Sequence, residues 1–595
     1  MNKITVIDNY VETSFFCDDN LTLMKALIDN GYFIDSPCNG NGTCGKCKVT
    51  ATGNLSDITS SEKKMLSQSE LLKGIRLACM TKISGDAVIT LSHISKARIE
   101  ASIENTINNF NPSVIIKKTA LTLPSIDNQI PDEENVLSSF GVSDISQNLL
   151  KTLPEFIRDN NFEVTVVISN DKIIDLKSEN DDINVGIAID IGTTTIVCYF
   201  YDLCENKLIG VKSALNPQRK FGADVISRIS YTISDPYGIN ILHNEIVAKV
   251  NDIIQDFCAE KSLDPKNIYE CCVSGNTTMM HLFLGYPPKN IAFAPFIPTS
   301  FFGKSYNAEF VGIDICGNAD IYCSPCISGY VGGDITAGLL ACGIHEKTKP
   351  ALLVDVGTNG EIALGCKDFI ISCATAAGPA FEGANIKHGI GSIDGAISKV
   401  HINKENNISF ETIGDLPPVG ICGSGIIDLI SCLLKLEIID ETGRLNSPTD
   451  LDPQLSERFL KTDNELEFIV DYNTGISITQ NDIREILLAK AAIAAGINTL
   501  LNYCNLSYND IESVILSGGF GSNINIASAC NIGLIPMDLS SKISFGGNTS
   551  GAGSLMLLCD KENRRVIKNI ASSCKYIELS SNSFFAEEYI NQMEF

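Results

Sequence analysis

Two stretches of this chain repeat one device, and that repetition constrains the fold more than any other feature of the sequence. At 185–203 the chain reads VGIAIDIGTTTIVCYFYDL: a strand carrying Asp190 turns at Gly192 through Thr193, Thr194 and Thr195 and returns as a second strand. At 351–366 it reads ALLVDVGTNGEIALGC, with Asp355, Gly357, Thr358, Asn359, Gly360 and Glu361 in the same order of strand, turn and strand. Each copy sets a carboxylate on a buried strand beside a hairpin whose backbone N–H and hydroxyl groups aim at one spot. Such donors suit the oxygens of a triphosphate. The carboxylates suit magnesium held through water, because that ion gives up its hydration reluctantly.

A third stretch, SVILSGGFGSNINI at 513–526, opens from a strand into Gly518, Gly519, Phe520 and Gly521, a backbone bare enough for a base and ribose to lie against. Together the three elements resemble the actin–hexokinase–heat-shock-70 superfamily, in which two duplicated halves clamp a nucleotide. The resemblance implies ATP held by Asp190, Gly192, Thr193, Thr194, Thr195, Asp355, Gly357, Thr358, Asn359, Gly360, Gly378, Gly518, Gly519 and Phe520, with Mg2+ at Asp190 and Asp355. Between the hairpins lies SGYVGGDITAGLLACG, 328–343, where Asp334 resembles the catalytic carboxylate of sugar kinases. Such a group accepts a hydroxyl proton or orients water; a helix-capping aspartate is the competing reading. Glu361 is the second candidate catalytic carboxylate.

NPQRKFGADVISRI (216–229), VSGNTTMMHLFLG (273–285), CATAAGPAFEGA (373–384, with Gly378) and GICGSGIIDLI (420–430) place small or polar residues before helices, as walls of an anion pocket do. NDIREILLAKAAIAAGINTLL reads as a long buried helix joining the halves, and His281 as a packed helix histidine.

Near the amino terminus, CNGNGTCGKC (38–47) crowds Cys38, Cys44 and Cys47 into a loop lined by Gly40, Gly42 and Gly45. Thiolates at this spacing need a thiophilic ion or cluster, and a lone zinc usually takes two CxxC knuckles where only one close pair exists. Cys79, in GIRLACMTKI, is the natural fourth ligand. The pattern Cys38-x5-Cys44-x2-Cys47-x31-Cys79 resembles a [2Fe–2S] ferredoxin, one residue longer in its first gap than the plant-type spacing. A zinc site or unligated thiols are the alternatives. Strands at KITVI, TSFFC, GKCKVTATG and DAVITLS, with a helix over TLMKALIDNGY, follow the order of a β-grasp ferredoxin. A second triplet, Cys316, Cys323 and Cys326, lacks the glycine-lined loop and reads as free, partly buried thiols.

The resulting fold class is multidomain α+β and α/β. It comprises a β-grasp ferredoxin over 1–95, a linker over 96–125 with a short strand at SVIIKKTALTL, a small α+β module over 126–182 and an actin-like ATPase in two halves over 183–595. The formal charge of −26 sets the surface against nucleic acid and anionic lipid. The 22 cysteines fall mostly inside apolar runs, which suits buried thiols in a reducing compartment. MNKITVIDNYVETSF shows no basic segment followed by an apolar run, so the expected location is cytoplasmic.

A ferredoxin, a spacer and an actin-like ATPase carrying DIGTTT, NPQRKFGADV, SGNTTM, DVGTNGE, AGPAFEG, GICGSG and LSGGFGSN resemble the ATP-dependent reductive activators of corrinoid proteins. The resemblance implies one-electron reduction of cob(II)amide to cob(I)amide on a corrinoid methyl-carrier protein. It also implies a low-potential electron donor protein and a homodimer, without nucleic acid or membrane as partner. A small-molecule kinase with an appended ferredoxin, a radical-dehydratase activator and a non-enzymatic electron carrier are the competing readings.

Overall fold

The computed structural model describes residues 2–8, 11–18, 21–30, 47–66, 68–90, 109–177, 183–357, 359–461, 466–518 and 524–595. Cys38, Cys44, Thr358, Gly519 and Phe520, and the expected helix end at Gly31, lie outside these residues.

Alternating apolar residues at the start of the chain form the strands Asn2–Asp8 and Val11–Cys17, which pair antiparallel. Asn2–Asp8 also pairs parallel with the closing strand Ile83–Thr90, and Lys48–Leu55 joins that strand to the short Ile75–Leu77. Helix Leu23–Asp29 covers the sheet, burying Leu23, Ala26 and Leu27 against Ile4, Val6, Val49 and Ile89. This is the expected β-grasp arrangement.

The next module differs from expectation in its extent. Strand Val114–Ala120, which falls within the 96–125 linker of the sequence reading, pairs along its whole length with Glu163–Ser169. Seven paired residues make it part of the sheet, which continues through Lys172–Lys177 to Asp144–Ile145. The expected hairpin is present: Asn170 and Asp171 both take positive φ, 47° and 66°, as a tight two-residue turn between twisted strands requires. This module docks on the two-lobed remainder of the chain through a buried charge. Ser113 Oγ donates to both oxygens of Glu270 at 2.6 and 2.7 Å, and Arg564, from the helix Asn563–Ser573, pairs with the same carboxylate.

The remaining chain repeats one topology twice. In the first lobe, Lys207–Leu215, Thr195–Asp202 and Val185–Ile191 are antiparallel neighbours, and Val185–Ile191 runs parallel with Ile268–Gly275, which runs parallel with Asp320–Cys323. In the second lobe, Phe369–Thr375, Gly360–Cys366, Ala351–Val356, Ser513–Ser517 and Ile543–Gly547 take the same order with the same directions. The helices repeat as well. Gly238–Lys261 and Gln480–Tyr503 precede the fourth strand of each lobe, and Gly333–Ala341 and Thr549–Cys559 follow the fifth. Gln480–Tyr503, apolar and long enough by composition to cross a membrane, is packed inside the second lobe's core.

The two helices that follow the fifth strands cross each other between the lobes, and glycine permits the crossing. A β-carbon at Gly553 would lie 2.2 Å from the Ala337 carbonyl, and one at Gly338 would lie 3.0 Å from Thr549 Oγ1. Around them a shared core joins Ala188, Val197 and Tyr199 of the first sheet to Leu353, Ala363 and Ile515 of the second. Replacing Gly553 by valine is expected to cost about 3 kcal/mol, the upper range for overpacking. Gly317→Ala, where a β-carbon meets open space, is expected to be neutral, and urea titration of the two variants checks both outcomes.

Candidate functional site

The duplicated hairpins face each other where the two lobes meet. In the first, Gly192 N–H donates to Thr195 O at 2.9 Å and closes the turn. Asn216 N–H donates to Thr194 O at 2.9 Å, and Asn216 Nδ2 donates to Gly192 O at the same distance. Asn276, the N-cap of helix Thr277–Phe283, donates Nδ2–H to Thr193 Oγ1 at 3.0 Å. Arg228 is wholly buried and donates to Thr193 O at 2.5 Å and to Gly222 O at 2.9 Å. Burial pushes its guanidinium down to about 9. The sequence stretches read as pocket walls at 216–229 and 273–285 therefore act as buttresses of the first hairpin.

In the second hairpin Gly357 N–H donates to Asn359 O at 3.0 Å. Gly360 has no room for a side chain, since a β-carbon would lie 2.6 Å from Thr375 Oγ1. Gly518, with φ +105°, presses against this hairpin: a β-carbon there would meet Val356 O at 2.5 Å and Asp355 Oδ1 at 3.0 Å. Gly378 also has positive φ, +75°, and borders open space. Gly425, in the GICGSG stretch, instead serves packing, because its backbone lies against the Ile397 carbonyl.

Four carboxylates converge on the cleft. Asp190 accepts from Asn548 Nδ2 at 2.9 Å and Ser550 Oγ at 2.7 Å, and burial holds it above the usual carboxylate range. Asp355 accepts from Ser517 Oγ at 2.8 Å. Burial, with Asp190 and Glu382 adding repulsion, pushes Asp355 up to about 6. Asp334 is raised to about 7 by burial and then by Asp355. Glu361 stands well above its usual range for the same reasons, with Asp334 as its strongest charged neighbour. Asp334 lies inside the first turn of its helix, where Gly332 holds the N-cap position, so it is not the capping residue.

Neither hydroxyl nor amide donors neutralise such a cluster, and no lysine or arginine lies among the influences on the four. The arrangement fits a divalent cation. Among the described residues no group of three or more His, Cys, Asp or Glu side chains is gathered as a metal's ligands.

Glu382 is a site residue that sequence reasoning missed. It accepts from Thr194 Oγ1 at 3.1 Å and lies 3.7 Å from the position of a β-carbon on Gly357, so it spans both hairpins. Ser517, Asn548 and Ser550 were missed too. The GGNTSGAGS stretch at 546–554 carried a signal for two of them, since Asn548 caps the helix Thr549–Cys559 in the N-cap pattern. His281 is packed as expected. Its Nδ1–H donates to Thr277 O at 2.6 Å, so Nε2 accepts from Thr299 N–H at 3.1 Å. Cys316, Cys323 and Cys326 are buried free thiols.

At the amino-terminal end, Cys47 and Cys79 are buried with their sulfurs 3.2 Å apart, too far for a disulfide and close enough to share a centre. Ala78 N–H donates to Cys47 O at 2.8 Å and ties the two ligand segments together. A wholly buried glutamate holds the turn that carries Cys79. Glu62 Oε1 accepts from Leu77 N–H at 3.2 Å and Thr81 Oγ1 at 3.0 Å, one on each side of the cysteine, and from Arg76 Nε at 2.7 Å. These donors keep Glu62 down at about 2 despite its burial. The paired, sulfur-rich end of the turn fits an iron–sulfur cluster.

A ferredoxin-type cluster domain and a two-lobed nucleotide cleft on one chain define an iron–sulfur protein of the actin-like nucleotide-binding class. Comparison with known proteins narrows the class. Sequence profiles match a 2Fe-2S iron-sulfur cluster binding domain at 6–84, the RACo linker region at 104–182, the RACo middle region at 185–347 and the C-terminal ASKHA domain of RACo at 349–595. The corrinoid activation enzyme RamQ of Eubacterium limosum is 32% identical over 571 residues, covering 93% of this chain and 92% of that one. The methylated amine-specific corrinoid protein reductase of Methanosarcina barkeri is 25% identical over 69% of this chain and 77% of its own length. A solved structure of a reductive activator for corrinoid, iron-sulfur protein superposes with a TM-score of 0.75 at 34% identity, covering 100% of this chain and 98% of that one. The chain belongs to the RACo family of reductive activators of corrinoid proteins.

Glu62→Gln is expected to release iron to a chelator about tenfold faster, the lower range for loss of a group that orients a metal ligand. Because Glu62 is held below the unfolded value, its stabilising effect is present above about pH 4.5 and is lost as pH falls toward 2. Acid unfolding of the wild-type ferredoxin region, followed by visible circular dichroism, is expected to show that loss. The glutamine variant is expected to lack it.

Proposed function

We propose that this protein carries out ATP-dependent reductive activation of a corrinoid protein, returning inactive cob(II)amide to cob(I)amide. The observation that carries the reading is the pairing, on one chain, of the juxtaposed Cys47 and Cys79 with a cleft whose buried carboxylates come from both lobes. Kinship along nearly the whole chain with proteins named for corrinoid activation and reduction supports it.

In this reading Cys38, Cys44, Cys47 and Cys79 hold a [2Fe–2S] cluster, which supplies reversible one-electron transfer when bound. Glu62 and Arg76 fix the Cys79 turn. The electron comes from a low-potential donor protein and goes to the cobalt of the partner, and each 100 mV of uphill transfer costs roughly 2.3 kcal/mol. The cleft offsets that cost. Backbone N–H groups of both hairpins, with Thr193, Thr194, Thr195, Thr358 and Asn359, grip the phosphates of ATP, and Gly378, Gly518, Gly519 and Phe520 border its nucleoside. Asp190 and Asp355 hold Mg2+ through water, and Asn548, Ser550 and Ser517 keep both carboxylates aimed. Asp334 takes the proton of the attacking water, a role suited to its value near 7, and Glu361, held neutral by burial and by Asp334, helps to orient that water.

Because the site draws one carboxylate from each lobe, lobe closure and nucleotide binding are one event. A partner bound differently by the open and closed states then has its cobalt environment changed by ATP. Cys79→Ser is expected to abolish the visible iron–sulfur spectrum and cob(I)amide formation while leaving ATP binding intact. Asp355→Ala is expected to keep the spectrum and lose ATP-dependent reduction. An anaerobic titration with a cob(II)amide-loaded carrier, with and without Mg-ATP, reads both. Reduction by the serine variant, or ATP-independent reduction by the wild type at full rate, overturns the proposal.

A further inference from the structure

The segment Ile291–Gly303, IAFAPFIPTSFFG, exposes Phe293, Ile297 and Phe301 to solvent at 56%, 60% and 48%. Three large apolar side chains so exposed within nine positions form a patch rather than scattered residues. Its backbone is fixed from beneath. Thr299 N–H and Ser300 N–H both donate to His281 Nε2, at 3.1 and 3.3 Å, Cys326 N–H donates to Phe301 O at 2.8 Å, and Gly303 N–H donates to Cys323 O at 3.0 Å. Ile291 is buried against Val225 and Ile229, and Phe302 packs on the His281 ring with centroids 4.9 Å apart. The inward-facing side chains anchor the segment, so the outward-facing ones are held away from the core.

Charge sets this surface apart. The chain carries 71 acidic residues in 595, yet none lies between Glu270 and Glu309. Along the sequence the formal charges across the segment and its flanks are Lys289 and Lys304, both exposed, while from elsewhere in the fold Lys568 lies beside Gly303 and Glu578 acts on Tyr330. Elsewhere the net charge of −26 repels an acidic protein, whereas this patch offers it apolar contact and two cations. An anionic membrane, being wide and flat, meets that repulsion all around the patch.

Position links the patch to the cleft. Phe296 sets its ring against Tyr330, centroids 5.4 Å apart, and its carbonyl lies so close to Gly329 that a β-carbon there would come within 2.6 Å. Gly329 and Tyr330 belong to the stretch that enters helix Gly333–Ala341, whose first turn carries Asp334. Phe296 thus joins the exposed segment to the stretch that leads into Asp334.

We infer that Phe293, Ile297 and Phe301, flanked by Lys289 and Lys304, form the docking surface for the corrinoid carrier protein, through an apolar spot in an acidic face of that partner. The assignment rests on the functional reading above. It places the partner against the element that ends at Asp334, so occupancy of the cleft is felt at the interface.

The test uses the full-length, cluster-loaded protein and a purified carrier reconstituted with cob(II)alamin. The triple variant Phe293→Ser, Ile297→Ser, Phe301→Ser is expected to raise the KM for carrier about tenfold or more, with ATP hydrolysis in the absence of carrier and the visible spectrum unchanged. Lys289→Glu with Lys304→Glu is expected to raise KM at low salt, with a difference that shrinks as salt is added. An unchanged KM in the triple variant overturns the docking surface while leaving the functional reading in place. So does loss of a dimer in sedimentation, which assigns the patch to a second copy. A wild-type protein that neither binds nor reduces the carrier overturns the functional reading itself, and the docking surface with it.

Discussion

Like charges held together out of water are the constraint on which the rest of this molecule depends. Asp190, Asp334, Asp355 and Glu361 come from different strands and a helix of two lobes; all four are raised by burial, and Asp334, Asp355 and Glu361 also by repulsion from others of the group. Nothing in the fold requires acidic residues at those points for packing alone. The shared core between the lobes, and the glycine crossing of Gly338 and Gly553, force the carboxylates together. Hydroxyl and amide donors hold their direction without cancelling their charge. A polar ligand carrying a divalent cation would relieve the repulsion, and would thereby draw the lobes together.

Much of this was legible in the sequence, for a physical reason. The hairpin at Asp190 and the one at Asp355 are local devices, in which strand, turn and returning strand are contiguous, so their chemistry is written in consecutive letters. The two sheets duly share one strand order. What escaped reading was non-local. Glu382 is an unremarkable glutamate after a proline until the fold brings it to Thr194, and Ser517 and Ser550 acquire meaning only opposite Asp355 and Asp190. Arg228 looks like a surface cation in a helix and is instead wholly buried under Thr193.

The same distinction holds elsewhere. The cysteine spacing named its own chemistry, but Glu62 gave no sign of gripping both sides of Cys79, because three of its donors come from residues 76, 77 and 81. Strand Val114–Ala120 sits among asparagines and prolines that suggest a tether, and its partner Glu163–Ser169 follows two helices later. SVIIKKTALTL reads as a short strand within that tether, but the composition of its flanks hid the partner that makes it part of the sheet.

The buried pair of Glu270 and Arg564, bridged by Ser113, has a consequence for how the chain is made. Its three members belong to the middle module, the first lobe and a helix near the end of the second. A carboxylate sealed in protein without its guanidinium costs several kcal/mol. On the ribosome Glu270 emerges long before Arg564, so the ion pair that ties the first lobe to the end of the chain is completed only once that last helix has been released.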